Sequence, residues 1–169
     1  AISAHGDLCA TGNAKRKASA APGTLRPTAV MPDHDKRPPA SRTSLEQGLT
    51  LGVLRETYTR ENGLWHIDAV RDDPKLYDDG RIANAAWLLR RANYVLSENV
   101  RLGPWIHVES ALNLHSLLTD TEELEVRAVV ADNVETKGHL MVVLDVQMLT
   151  GKRCFEGETV SDVLAAVLR

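Results

Sequence analysis

The sequence predicts an α+β domain in which one long helix is wrapped by a curved antiparallel sheet. Three observations carry this reading. Residues 84–100 place Ala85, Leu88, Leu89, Ala92, Val95 and Leu96 on one stripe at three- and four-residue spacing. Trp87 and Val100 widen that apolar arc until the helix must be covered on most sides. Residues 105–163 then read as at least four strands whose connections are too short for parallel crossovers. Ahead of the helix there is only a strand, a short helix and a loop. A helix that needs covering and a sheet with one apolar face bury each other.

Residues 1–43 stand apart from this pattern. They hold no Phe, Trp or Tyr, only four Ile, Leu or Val, and five of the seven prolines, including Pro38-Pro39. So little apolar surface does not offset the entropy of ordering, and a disordered, Pro-rich, basic tail is expected, with the folded domain over 44–169. The hydrophobic content of the chain, 43%, is enough for one core. Seven Lys or Arg against three acids give residues 1–43 a net charge of +4; the whole chain is −3, so residues 44–169 carry −7. An acidic body argues against nucleic acid as a partner, since phosphate binding needs a basic face. No apolar run approaches a membrane span, and residues 1–43 lack the continuous stretch of a secretory signal, which makes the cytoplasm the default. Cys9 and Cys154 lie far apart without Cys-x-x-Cys spacing, the usage of a reducing compartment, with neither disulfide nor zinc implied.

Within the body, residues 49–58 read as a short strand with a possible bulge at Gly52. Thr59 is placed to cap a helix running to Val70, which Gly63 weakens by about 1 kcal/mol relative to Ala. Asp72-Asp73-Pro74 and Asp79-Gly80 mark residues 71–81 as a loop. After the long helix, Gly103 supplies a stop and Pro104 forbids continuation. Strand-like alternation then covers 105–118, 123–130 and 139–149, the last with Leu140, Val142, Leu144, Val146 and Met148 on one face. Lys137-Gly138 makes one turn and Thr150-Gly151-Lys152 another, leading into a strand over 153–163.

These segments carry a resemblance. "NAAWLLRRANYVLSENVRLGPWIHVES", followed by "EELEVRAVV" and "KGHLMVVLDVQML", resembles the MaoC-like hot-dog proteins, relatives of the acyl-thioester hydratases and dehydratases. The resemblance covers about residues 45–163. It implies the hot-dog fold, a homodimer, and an acyl-thioester ligand whose coenzyme A or pantetheine is part of the substrate, with no separate cofactor. The (R)-specific hydratases of that superfamily carry Gly-Asp-x-Asn-Pro-x-His at the head of the central helix, where Asp and His hold the water and exchange its proton. The corresponding stretch is taken here as residues 78–84, Asp-Asp-Gly-Arg-Ile-Ala-Asn, which has acids and an Asn but no histidine. An amide does not take a proton from water near neutral pH.

The candidate residues follow from that gap. His107, on the same strand face as Trp105 and Glu109, is the substitute proton-transfer group, or else a strand histidine hydrogen-bonded near a dimer interface. Asp79 is the carboxylate that positions water or the base, or a solvated turn residue. Asn84 is either the cap of the central helix or a contact to the thioester oxygen. Trp87 and Trp105 are the candidate substrate-binding aromatics, with packing at the helix–sheet corner the other role for Trp105. His66, His115 and His139 have no spacing typical of metal ligands, so no metal is expected. A hydratase or dehydratase, a hot-dog thioesterase using Glu98, and a non-catalytic acyl-thioester binder all remain open.

Overall fold

The computed structural model of the chain describes residues 2–4, 7–10, 24–112, 114, 116–136, 138–150 and 160–168; in 2–4, 7–10, 136 and 160–168 it describes the backbone alone. Strands β1 (Ile2–Ala4) and β2 (Asp7–Ala10) pair antiparallel with each other. The main sheet contains β3 (Leu54–Thr57), β4 (Trp105–Leu112), β5 (Glu123–Thr136), β6 (His139–Thr150) and β7 (Val160–Leu168). Its order is β3-β5-β6-β7-β4, with every neighbouring pair antiparallel. Among the described residues two α-helices accompany it, α1 (Arg60–Val70) and α2 (Ala85–Asn99). Neither is long and apolar enough to cross a membrane.

The expected central helix is α2, and its boundaries have local causes. Asn84 holds extended φ and ψ, and its Oδ1 accepts from the Ala86 N–H at 2.7 Å. The buried face of α2 carries Trp87, Leu88, Ala92, Val95 and Leu96. It meets Leu124, Val126, Ala128 and Val130 of β5 and Val142, Leu144, Val146 and Met148 of β6 in one core. The period of 3.6 on the helix and of two on the strands point those residues at each other. Asn99, buried at the last turn, ties the helix to the strand side: its Oδ1 accepts from Gly52 N (2.6 Å) and its Nδ2 donates to the Gly52 and Val95 carbonyls (3.0 and 2.6 Å).

Gly52 is therefore more than a bulge marker. A Cβ there would lie 2.4 Å from the Met31 Cα, because residues 30–31 pass directly over it. Residues 49–53 keep irregular contact with β5, through Leu51 N to Ala128 O and Val130 N to Leu49 O, and the regular strand starts only at Leu54. Helix α1 begins where expected, with Thr59 Oγ1 accepting from the Asn62 N–H at 3.2 Å. Gly63 in that helix faces the Tyr58 hydroxyl, 2.0 Å from where a Cβ would stand, so close approach outweighs its propensity cost.

Two expectations change. Residues 24–43, read as part of a disordered tail, run along the body. Arg26 pairs with Asp145 (2.7 Å) and donates its backbone N–H to Gln147 Oε1 (2.8 Å); Ala40 and Pro38 exchange backbone bonds with Arg101. An apolar count misses a segment held by ion pairs and backbone bonds. The strand expected over 105–118 ends at Leu112, and its register shifts between His107 and Glu109. Trp105 and His107 are half-buried, while Glu109 is exposed beyond the irregularity. The Gly138 turn is present, with φ +75. The expected turn at 150–152 and start of the last strand at 153 fall largely on 151–159, outside the described residues; β7 covers Val160–Leu168.

Candidate functional site

The head of α2 gathers a carboxylate, a phenol and an amide from three consecutive local structures. Helix α1 stops at Arg71, whose left-handed φ of 57 lets the Asp72 N–H reach Ile67 O and the Arg71 N–H reach Asp68 O. Asp73 then caps a single 3-10 turn, Pro74–Tyr77, through its Oδ1 and the Lys75 N–H at 3.0 Å. Pro74 at the start of that turn loses no hydrogen bond it needs. The turn carries Tyr77 back over Asp72. Asp78, Asp79 and Gly80 all have positive φ and redirect the chain to Ala83, whose N–H donates to Leu118 O at 2.9 Å.

Asp72 is the centre of the cluster. Its Oδ2 accepts from the Tyr77 hydroxyl at 2.7 Å and from Asn84 Nδ2 at 3.1 Å, and its Oδ1 accepts from the Asp73 N–H at 2.9 Å. The Tyr77 hydroxyl, then the Asp73 N–H and the Asn84 amide, hold the carboxyl below its ordinary range. Burial, then the bond and charge of Asp72, push the Tyr77 phenol up. Asn84 is buried and uses its oxygen as the helix cap and its nitrogen on Asp72. Both roles weighed for Asn84 are compatible with this, since Nδ2 keeps a second N–H.

The other sequence-predicted residues lie elsewhere. Asp79 is exposed, and its backbone carbonyl accepts from Arg60 Nε at 2.9 Å. Trp87 is 2% exposed. It is packed edge-on against Tyr58 (4.8 Å between centroids, 80°) with the Arg91 guanidinium 3.8 Å over its ring, so this chain offers it no ligand surface. Arg91 in turn pairs with Glu56 of β3. Trp105 is half-buried and packs against the core. His107 meets Asn93 of α2, Nδ1 to Oδ1 at 2.9 Å. Asn93 stands nine residues after Asn84, about 13 Å along the helix at 1.5 Å per residue. Within one chain, His107 and Asn84 do not address the same reacting atom.

His66 is 5% exposed, and neither ring nitrogen has a hydrogen-bond partner among the described residues; burial, then Arg90 and Arg91, push its pKa down. His139 is half-buried at the start of β6, and His115 lies outside the described residues. Among the described residues no three His, Cys, Asp or Glu gather as metal ligands.

Asp72 and Tyr77 were legible in sequence only as turn residues. A finer signal was present: Asp72 and Tyr77 are five residues apart, the separation of Asp and His in Gly-Asp-x-Asn-Pro-x-His, with Pro74 one place early.

No protein-family model matches the sequence, and no curated protein matches it. Solved structures do match. The (R)-hydratase from A. caviae involved in PHA biosynthesis superposes with a TM-score of 0.59 at 16% identity, covering 74% of this chain and 97% of that one. A C-terminally truncated HadBC (3R-hydroxyacyl-ACP dehydratase) complex from Mycobacterium tuberculosis gives 0.58 at 19% identity, covering 73% and 96%. The MaoC-like dehydratase from Rhodospirillum rubrum gives 0.55 at 15% identity, covering 75% and 95%. At these identities the likeness speaks for the fold. The chain has the hot-dog fold of these hydratase and dehydratase structures.

Proposed function

We propose that this protein binds an acyl thioester and interconverts 2-enoyl and 3-hydroxyacyl forms by adding or removing water at the head of α2. The observation that carries the reading is the Asp72–Tyr77–Asn84 cluster. The carboxylate, its position fixed by three donors, accepts from a water. The remaining Asn84 N–H supplies a donor for the oxygen on which charge develops. Hydration puts the water oxygen on the β-carbon and a proton on the α-carbon. The apolar acyl chain needs only walls, and a homodimer is the assembly in which such a slot forms between two copies.

A second reading, a non-catalytic acyl-thioester binder, is favoured by a specific feature of the same cluster. Asp72 is held below its ordinary range and Tyr77 above its own, so neither changes protonation near neutral pH. A thioesterase using Glu98 has less support. Glu98 lies fourteen residues beyond Asn84, about 21 Å along α2, and pairs with Arg37 at 3.7 Å. The test is a panel of 2-enoyl-, 3-hydroxyacyl- and saturated acyl-CoA, followed separately for double-bond loss and thiol release. Double-bond loss alone supports the hydratase; binding without turnover supports the binder.

A further inference from the structure

We infer that the proton-transfer group of this site is His107 of a second copy of the chain, delivered by antiparallel pairing of the two β4 edges. This rests on reading the Asp72 cluster as an acyl-thioester site, and the cluster needs such a group. A carboxylate holding three donors, a phenol and an amide leave no base that works near neutral pH. His107 is suited to the role but misplaced within its own chain. Its Nδ1 meets the Asn93 oxygen, and the tautomer that donates to that oxygen turns the Nε2 lone pair away from Asn93.

Strand β4 is the last strand of the sheet, and among the described residues no strand pairs with its outer edge. Its solvent side carries two large apolar residues, Ile106 at 48% and Val108 at 56% exposed. An open, apolar edge of this length pairs with another strand unless something blunts it. A second copy is the occupant that the edge fits, because a two-fold axis makes the same edge complementary to itself.

Geometry decides where His107 then falls. β4 starts beside Asn93, in the middle of α2, and runs toward the helix head: beyond its end, Leu118 O accepts from Ala83 N, next to Asn84. A two-fold axis through the middle of β4, between Val108 and Glu109, places the second copy's His107 opposite Ser110. That is about 10 Å from the first copy's own His107 at 3.4 Å per residue. The helix head lies about 13 Å from the level of Asn93. The two lengths agree to about one residue's rise. In hydration, Nε2 takes a proton from water as its oxygen bonds the β-carbon. The π pair moves to the α-carbon and thioester oxygen, and the α-carbon then takes that proton from the imidazolium.

The test uses the full chain with Cys9→Ser and Cys154→Ser, co-expressing one copy bearing His107→Cys with one bearing Tyr77→Cys. A short bismaleimide is expected to join position 107 of one chain to position 77 of the other, read by peptide mass spectrometry. In parallel, Asp72→Asn and His107→Ala chains, each inactive alone, are co-assembled. Mixed dimers then hold one intact site, and activity rises to about a quarter of wild type at random pairing. No cross-link between chains, or an active wild type without complementation, overturns the inference. A cross-link with no turnover by wild type places His107 at the cluster and refutes the hydratase reading instead.

Discussion

Asn84 and Asp72 fix each other: one end of the amide caps α2 on the Ala86 N–H, and the other donates to the Asp72 carboxylate at 3.1 Å. The start of the buried helix and the chemistry at its head are therefore one structure. Disturbing either residue disturbs both.

Replacing Asn84 separates the two roles. Asn84→Ala removes the cap, at about 1 kcal/mol, and one donor to Asp72. Asn84→Asp keeps a capping oxygen but sets a carboxylate beside Asp72. Thermal melts are expected to show a loss for Asn84→Ala and a smaller one for Asn84→Asp. NMR titration should show Asp72 moving up in both, furthest in Asn84→Asp, where like charge adds to the lost donor. An Asp72 titration unchanged in both variants refutes the pairing.

The acid side of the stability curve follows from the same carboxylate. Asp72 is lowered in the folded chain and ordinary in the unfolded one. Its contribution is thus present above the ordinary carboxylate pKa, about 3.9. It fades as pH falls through the depressed folded value. Tyr77→Phe removes the first cause of that lowering. Its melting temperature is expected to match wild type more closely at pH 2 than at pH 7.

Gly52 and Asn99 mark a purely structural site. Gly52→Ala drives a methyl into the Met31 backbone, which has no side chain to yield. Overpacking of this kind costs about 1–3 kcal/mol. Asn99→Ala leaves the Gly52 N–H and C=O unsatisfied in a buried position, at about 1–3 kcal/mol each. Urea denaturation of the two variants and the double variant should give non-additive losses, because both act on the same passage of chain.

What was legible in the sequence was whatever periodicity and local stops encode. The stripe from Ala85 to Leu96 and the Asn84 cap gave α2 nearly to the residue, and the Leu140–Met148 alternation gave β6. Residues 24–43 were not legible because Arg26 reaches Asp145 and Gln147 about 120 positions away, and no local pattern announces a partner at that distance. Trp87 was half-legible: its place on the apolar arc was plain, whereas its enclosure by Tyr58 and Arg91 depends on β3 and on a cation stacked over a ring. The Asp72–Tyr77 pair was hidden by its own turn chemistry. Asp-Asp-Pro reads as punctuation, and only the fold over Pro74–Tyr77 turns it into a carboxylate meeting a phenol.

The position of Tyr77 allows the missing base to be restored within one chain. Tyr77→His puts an imidazole, ordinarily titrating near pH 6.5, five residues after Asp72 and within reach of its carboxylate. Asp72 then orients the ring and favours its charged form, a direction opposite to its effect on the phenol. If His107 supplies the base in wild type, His107→Ala lowers hydration by about 10²–10⁴-fold while acyl binding survives. Adding Tyr77→His to His107→Ala should recover about 10²-fold of that loss, the low end for a general base. The pH–rate profile of the double variant should rise through an imidazole titration above pH 6.5, since the Asp72 charge raises the pKa. Asp72→Asn in the same background should lower that midpoint. A double variant as inactive as His107→Ala, with acyl binding and folding intact, would remove the head of α2 as the place where water is activated.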